Sequence, residues 1–406
     1  MRVLLLNQVF HPDVAATAQM AHDLARRLVA AGHEVHVVAS RSIYGQKGGQ
    51  LQRRETVDGI HVHRVGVSLF GKGSMLARLI DFALFYVLAG AKVLTVPRPD
   101  VTVAFTTPPL VATLGWLVRT VRGGRYVYWL MDMYPDVLIA HGALRPGSLT
   151  HRLLEAVSRW CLRKADRVVV LGRDMRELVE SKGVPASRVE HISVWADETG
   201  VVPTEARGTA YRKAWGLGES LVVMYSGNLG LAHDQATLLG AMGQLQHEHV
   251  RWVFVGGGKT MDALRERVEA EGWTHVQFQP YQPRERLGEL LGTADVHLIT
   301  QATAMRGLIV PSKLYGIMAA SRPAAFVGPG DAEVARVLHE CDGGRVIAVG
   351  DADALAAFVR EMAAEPDVRE AMGRRARAAF DEHYSARVCC GQWVTLLESL
   401  VVSPRV

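Results

Sequence analysis

The sequence predicts two consecutive doubly wound α/β domains, and three observations lead there. The 406-residue chain is too long for one ordinary domain and suits two of about 200 residues each. Short apolar runs alternate with helical patterns along most of its length, the order that parallel sheets with crossover helices require. That alternation stops once, in residues 196–210, where a proline, two glycines and little periodicity read as an interdomain linker, and then restarts. A composition of 49% hydrophobic and 21% charged residues supplies cores for two such domains and excludes a disordered chain.

In chain order, the first half places strands at Val3–Leu6, Val35–Ala39, Ile60–Val65, Val101–Phe105, Tyr126–Leu130, Arg167–Leu171 and Val189–Ile192. Between the first two lies an amphipathic helix, Thr17–Ala31, closed by Gly32 at its C-terminal cap. After the linker, strands are expected at Leu221–Tyr225, Trp252–Val255, Val276–Gln279, Val296–Thr300, Ala324–Val327 and Arg345–Val349. The domains are expected over residues 1–200 and 206–384, with a last helix within 385–406. Ligands of such folds bind at the carboxyl ends of strands, so the two domains are expected to face a central cleft.

Several classes drop out. The apolar start of the chain is too short for a signal peptide, and there is no run of about 18 uncharged apolar residues to span a membrane. Cys161, Cys341, Cys389 and Cys390 include no C-x-x-C pair, so neither a zinc site nor a disulfide framework follows, and a cytoplasmic, reducing location is expected. Gly256-Gly257-Gly258-Lys259-Thr260 ends like a P-loop, but Val253 stands where that motif needs its first glycine; ATPase activity is not expected. Asp351-Ala352-Asp353 matches a metal-binding D-x-D pattern, yet its place before a helix is explained by capping, and no metal ligand is assigned.

Three segments carry chemistry. Val310–Ala320 reads as a helix with Pro311 in its first turn; backbone N–H groups, the Ser312 hydroxyl and the Lys313 ammonium at that end suit a diphosphate. Tyr225–Asp234 leads from a strand into a helix, and Gly227 and Gly230, with Asn228 between them, permit close backbone approach to a phosphate or sugar. In Tyr126–Asp136, Asp132 follows a buried strand and would reach the cleft, while Asp136 suits a helix cap equally.

Together with Asn7-Gln8, Phe10–Asp13, Gly32–Val35 and Pro280–Arg284, these segments make the chain resemble retaining glycosyltransferases of family 4, specifically those assembling capsule, O-antigen and exopolysaccharide repeat units. The resemblance covers nearly the whole chain. It implies a GT-B fold with an N-terminal acceptor domain, a C-terminal donor domain and a last helix crossing back to the first. It also implies hexosyl or N-acetylhexosaminyl transfer, without a metal or other cofactor, from a nucleotide sugar (UDP-linked by expectation) to a polyprenyl-diphosphate-linked saccharide. The base is then expected near Tyr281, the diphosphate at Gly227, Asn228, Gly230, Pro311, Ser312, Lys313 and Leu314, and Asp132 and His233 at the acceptor hydroxyl and the donor respectively; His233 would equally cap the following helix. Two departures stand out: Ala15-Ala16 replace a common glycine pair, and Leu308 and Gly316 occupy the positions of two glutamates, the second of which usually holds the ribose. An epimerase of the same architecture and a degenerate sugar-nucleotide binder are the rival readings.

Charge adds a partner. Residues 1–200 carry 25 Lys and Arg against 17 Asp and Glu, whereas the remainder carries 21 against 24. A basic first half fits an anionic partner, and a membrane surface is expected rather than nucleic acid. On a helix over Met75–Val93, Arg78, Asp81 and Lys92 fall within an arc of about 60° and most of the rest is apolar, a pattern suited to lying in the bilayer interface, with Phe82, Phe85 and Tyr86 as contacts and Lys72 and Arg98 flanking.

Overall fold

The computed structural model describes residues 1–43, 51–67, 75–205, 209–230 and 234–402. The chain divides into two compact units, Met1–Ser193 with Cys390–Val406, and Val194–Cys389. Each is built on one twisted sheet covered by helices.

In the first unit the strands are β1 (Arg2–Leu6), β2 (Glu34–Ser40), β3 (Arg54–Val57), β4 (Ile60–Val65), β5 (Val101–Ala104), β6 (Arg125–Trp129), β7 (Arg167–Val170) and β8 (Val189–His191). They lie in the order β3-β4-β2-β1-β5-β6-β7-β8, so the winding reverses between β1 and β5. Val3–Leu6, Val101–Ala104 and Tyr126–Trp129 are buried, which is why these strands read as continuous apolar runs instead of alternating ones. Helix Ala16–Ala30 turns Ala18, Ala21, Leu24, Ala25 and Leu28 inward, the spacing of one helical face.

The β3 strand is absent from the sequence reading. Its Arg-Glu-Thr-Val run is short and polar, as an edge strand's must be, and it is the one antiparallel strand of this sheet among the described residues. The signal was present: Asp58-Gly59, with φ values of 50° and 78°, is the Asp-Gly turn of a tight hairpin.

Helix Ala386–Val402 contributes its C-terminal part to the first unit. Trp393 and Trp129, both fully buried, meet with ring centroids 4.5 Å apart, and Arg125 Nε donates to the Leu400 carbonyl at 2.9 Å.

The second unit comprises β9 (Leu221–Asn228), β10 (Val250–Gly257), β11 (Val276–Gln279), β12 (Val296–Thr300), β13 (Ala324–Val327) and β14 (Gly344–Ile347), ordered β11-β10-β9-β12-β13-β14 and parallel throughout. Its largest core cluster fills around Tyr225, Trp252, Phe254 and Phe358. Residues 196–205, expected as part of an interdomain linker, belong to the second unit and pack against it. Ala196 bridges Ser385, and Arg322 Nη2 donates to the Thr204 carbonyl at 2.5 Å. Gly288 and Gly292 let this segment lie close: a Cβ on either would fall within 2.8 Å of Gly200 or Thr204 atoms. Small residues on the helix therefore turn a linker sequence into packed structure.

Candidate active site

In the second unit the site is built where β9 and β10 outrun the expected strand ends. The two remain paired as far as Gly227 with Gly256 and Asn228 with Gly257. A Cβ on Gly256 would stand 2.2 Å from the Gly227 carbonyl oxygen, and one on Gly258 2.5 Å from that of Leu229. The glycines that mimic a P-loop thus serve close approach of two backbones, and their positive φ values, 129° and 126°, reinforce the requirement. The Tyr225 hydroxyl, kept protonated by burial, donates to the Asn228 carbonyl at 2.9 Å, and Thr260 Oγ1 donates to the Gly230 carbonyl at 3.0 Å. Gly227, Asn228 and Gly230 therefore sit on a braced turn.

Lys313 meets that turn from the next element. Its Nζ lies 3.6 Å from the Tyr225 ring centroid, and a Cβ on Gly227 would come 3.7 Å from the same nitrogen. Burial pushes its ammonium down to about 7. No carboxylate pairs with it among the described residues, so the ring face is what holds the charge. Tyr281, 63% exposed, lays its ring against Gly256 and Gly257, whose added Cβ atoms would lie 3.2 and 3.5 Å away. An exposed aromatic ring beside a backbone turn offers a stacking platform.

The helix carrying Lys313 corrects the sequence reading. It spans Lys313–Ala319, with Ser312 as N-cap, so Pro311 precedes it instead of occupying its first turn. Leu314 N–H reaches the Pro311 carbonyl at 3.4 Å and Tyr315 N–H that of Ser312 at 3.3 Å, so the helix starts in a tighter turn. Ser312 is exposed and makes no side-chain cap bond. Leu314 is fully buried and gives its side chain to the core, which leaves only backbone for a ligand. Leu308 is buried as well, and a Cβ on Gly316 would press to 3.2 Å from Leu291 Cδ1, so neither position offers a polar group.

A residue that sequence reasoning missed is Gln301. It follows β12, is 1% exposed, and its Nε2 donates to the carbonyls of Met305 at 3.0 Å and Ile309 at 3.2 Å. It fixes the turn that delivers Pro311-Ser312-Lys313. A buried glutamine at a strand end was the available signal.

In the first unit Asp132 lies three residues beyond β6, between the buried Met131 and Met133. Burial pushes its carboxyl up to about 6, and it has no hydrogen bond or ion pair among the described residues. Asp136 differs: its carboxylate receives Lys182 Nζ at 2.9 and 3.0 Å, and the same ammonium reaches Glu155 at 3.0 Å. A structural ion-pair network absorbs it. Ala15 is the N-cap of its helix, its N–H donating to Asp13 Oδ1 at 2.9 Å. Asp351 caps helix Ala352–Ala364 by accepting Ala354 N–H at 2.9 Å, and Asp353 accepts Gln244 Nε2 at 2.6 Å. His233, Lys72 and the side chain of Arg78 lie outside the described residues.

Comparison with known proteins gives this geometry a family. The glycosyl transferase 4-like domain matches residues 16–195, and the group 1 glycosyl transferases match residues 209–379. The chain is 27% identical over 309 residues to a Pseudomonas aeruginosa protein named as the probable glycosyltransferase WbjE, covering 76% of this chain and 77% of the relative. It is 24% identical to Escherichia coli K12 WcaI, named as a glycosyl transferase of colanic acid biosynthesis, over 89% of this chain and 92% of that one. Among solved structures, sucrose-phosphate synthase from Thermosynechococcus elongatus superposes with a TM-score of 0.80 at 16% identity, covering 98% and 99% of the two chains. Anabaena HepE in complex with UDP-glucose superposes at 0.73 and 16% identity, covering 98% and 100%. With a 4-like domain followed by a group 1 domain, on one sheet parallel except for β3 and one parallel throughout, the chain belongs to the GT-B glycosyltransferases of family 4.

Proposed function

We propose that this glycosyltransferase moves a hexosyl or N-acetylhexosaminyl group from a UDP-linked sugar to a lipid-linked saccharide, with retention of configuration, in cell-surface polysaccharide assembly. The observation that carries the donor half is Lys313: a half-buried cation held over an aromatic ring, beside a glycine turn, with no carboxylate partner among the described residues. Holding an unpaired, partly desolvated charge is costly unless an anion arrives. A diphosphate supplies that anion, and its charge grows as the glycosidic bond to the sugar breaks, so the lysine stabilises the leaving group more than the bound donor. HepE, solved with UDP-glucose, supports a uridine donor. Tyr281 stacks the base, Gly227, Asn228, Gly230 and Ser312 approach the phosphates, and His233 contacts the donor. Asp132, a half-buried carboxyl pushed up to about 6 by desolvation, accepts the proton of the acceptor hydroxyl. WcaI, named for colanic acid biosynthesis, supports a polysaccharide setting and, with it, a lipid-linked acceptor.

The test is turnover of UDP-sugars by wild type and Lys313→Ala in excess EDTA. Wild type is expected to work without added divalent metal, and the variant to lose about 100-fold or more in kcat with a smaller change in donor Kd. Unchanged kcat in Lys313→Ala removes the assignment, and EDTA inhibition reversed by magnesium removes the metal-free reading.

A further inference from the structure

Six cations of the first unit gather around one cavity. It measures about 650 Å³ and is lined by Arg119, Arg125, Arg163, Lys164, Arg167 and Arg188, with Asp166 as its one lining carboxylate. Arg125 and Arg167 begin β6 and β7, and Arg188 immediately precedes β8. The cavity therefore opens at the N-terminal edge of the sheet, whereas Asp132 follows the C-terminal end of β6. It is separate from the residues assigned to sugar transfer.

The carboxylates present do not neutralise it. Asp166 is shared by Arg119, at 2.9 and 3.0 Å, and by Arg125 at 3.7 Å. Glu190 engages Arg167 at 3.2 Å. Arg163 and Lys164 have no ion pair among the described residues, and Arg188 reaches only the Arg163 carbonyl, at 3.3 Å. Cations in the last turns of helices Ala112–Arg122 and Leu149–Lys164 complement the helix dipoles, which accounts for Arg119, Arg163 and Lys164. It does not account for Arg125, Arg167 and Arg188, which enter strands. Most of the cations are arginines, whose planar forks match phosphate oxygens in pairs. A neighbouring cavity shares Arg125 and Leu400 with the first and adds Arg2, itself paired with Glu34 at 2.8 Å, and Arg98 against the one carboxylate Asp100, so cations continue beyond the reach of one phosphate.

We propose that this cavity binds a ligand carrying two or more phosphate groups, at a site distinct from the donor site. Free polyphosphate and the headgroup of a lipid that carries two phosphates share that chemistry. Calorimetric titration of the full chain with inorganic tripolyphosphate at low salt tests it, in a Lys313→Ala background that weakens the donor site. Binding is expected to survive Lys313→Ala and to weaken at least 10-fold when Arg163→Ala, Lys164→Ala and Arg188→Ala are added. All three are exposed, and unchanged melting temperature checks the fold. Equal affinity in the parent and the triple variant overturns the proposal, as does citrate binding as tightly as tripolyphosphate. Sedimentation with vesicles containing cardiolipin, whose headgroup carries two phosphates, then assigns the source. Pelleting that tripolyphosphate competes away and the triple variant lacks identifies a headgroup; tripolyphosphate binding without pelleting identifies a soluble ligand.

Discussion

Lys313 and Asp132 share one physical condition: each is a half-buried ionisable group without a partner of opposite charge among the described residues, and each is displaced toward neutrality. Burial lowers the lysine to about 7 and raises the aspartate to about 6. In the proposed roles Lys313 works as the cation, present below its pKa, and Asp132 as the carboxylate, present above its own. The expected outcome is a narrow bell in kcat/KM for the donor, with an acid limb near 6 and a basic limb near 7. Asp132→Asn is expected to cost most of the activity and Lys313→Ala to abolish the basic limb. A second signature is proton uptake on binding UDP above pH 7, because the diphosphate draws the lysine back to its charged form. Titrations in buffers of different ionisation enthalpy measure it, and heats independent of buffer at pH 8 would exclude Lys313 as the titrating contact.

At the scale of one element, helix Met75–Val93 shows what a helical wheel misses. Asp81, grouped with Arg78 and Lys92 as a polar arc, is only 7% exposed and lies on the inward face with Phe85, Ala89 and Val93. Phe85 is core, and the Tyr86 hydroxyl donates to the Pro109 carbonyl, so neither is available as the lipid contact expected from sequence. The outward apolar residues are Ile80, Val87 and Leu88, exposed by 45%, 70% and 38%. Among the described residues no helix is long and apolar enough to cross a membrane. Docking of this face on an anionic bilayer is our proposal. Ile80→Ser, Val87→Ser and Leu88→Ser together are expected to release the protein from phosphatidylglycerol vesicles with the fold intact by circular dichroism. Full retention by that variant would return the helix to a purely structural role.

Over the whole molecule, acid stability follows from histidines held neutral. Burial lowers His22 and His63 in the first unit and His297 in the second from an ordinary 6.5 to about 4. The unfolded chain therefore binds more protons than the folded one between those values. Stability from these groups is complete above 6.5 and is lost as pH falls toward 4. Melting temperature is expected to fall steadily from pH 7 to pH 4.5, and His63→Gln to flatten part of that slope. A melting temperature flat over this range would mean these histidines protonate freely in the folded state.

The two-sheet architecture was legible because central parallel strands are buried on both faces and read as apolar runs, as Val3–Leu6 and Ala324–Val327 do. The glycine turn and Lys313 were legible because backbone approach and charge are properties of residue type. Sequence left β3 unread, since an edge strand buries little and its polar residues carry no periodic signal. Only the tertiary structure decided which carboxylates are occupied: Asp132 stands unpaired among the described residues while Asp136 is held by Lys182. It also decided that Gln301 braces the Lys313 turn and that six cations scattered between Arg119 and Arg188 converge on one cavity. Pairing and convergence depend on distances between segments remote in sequence, and those distances are set by how the sheet and its helices pack.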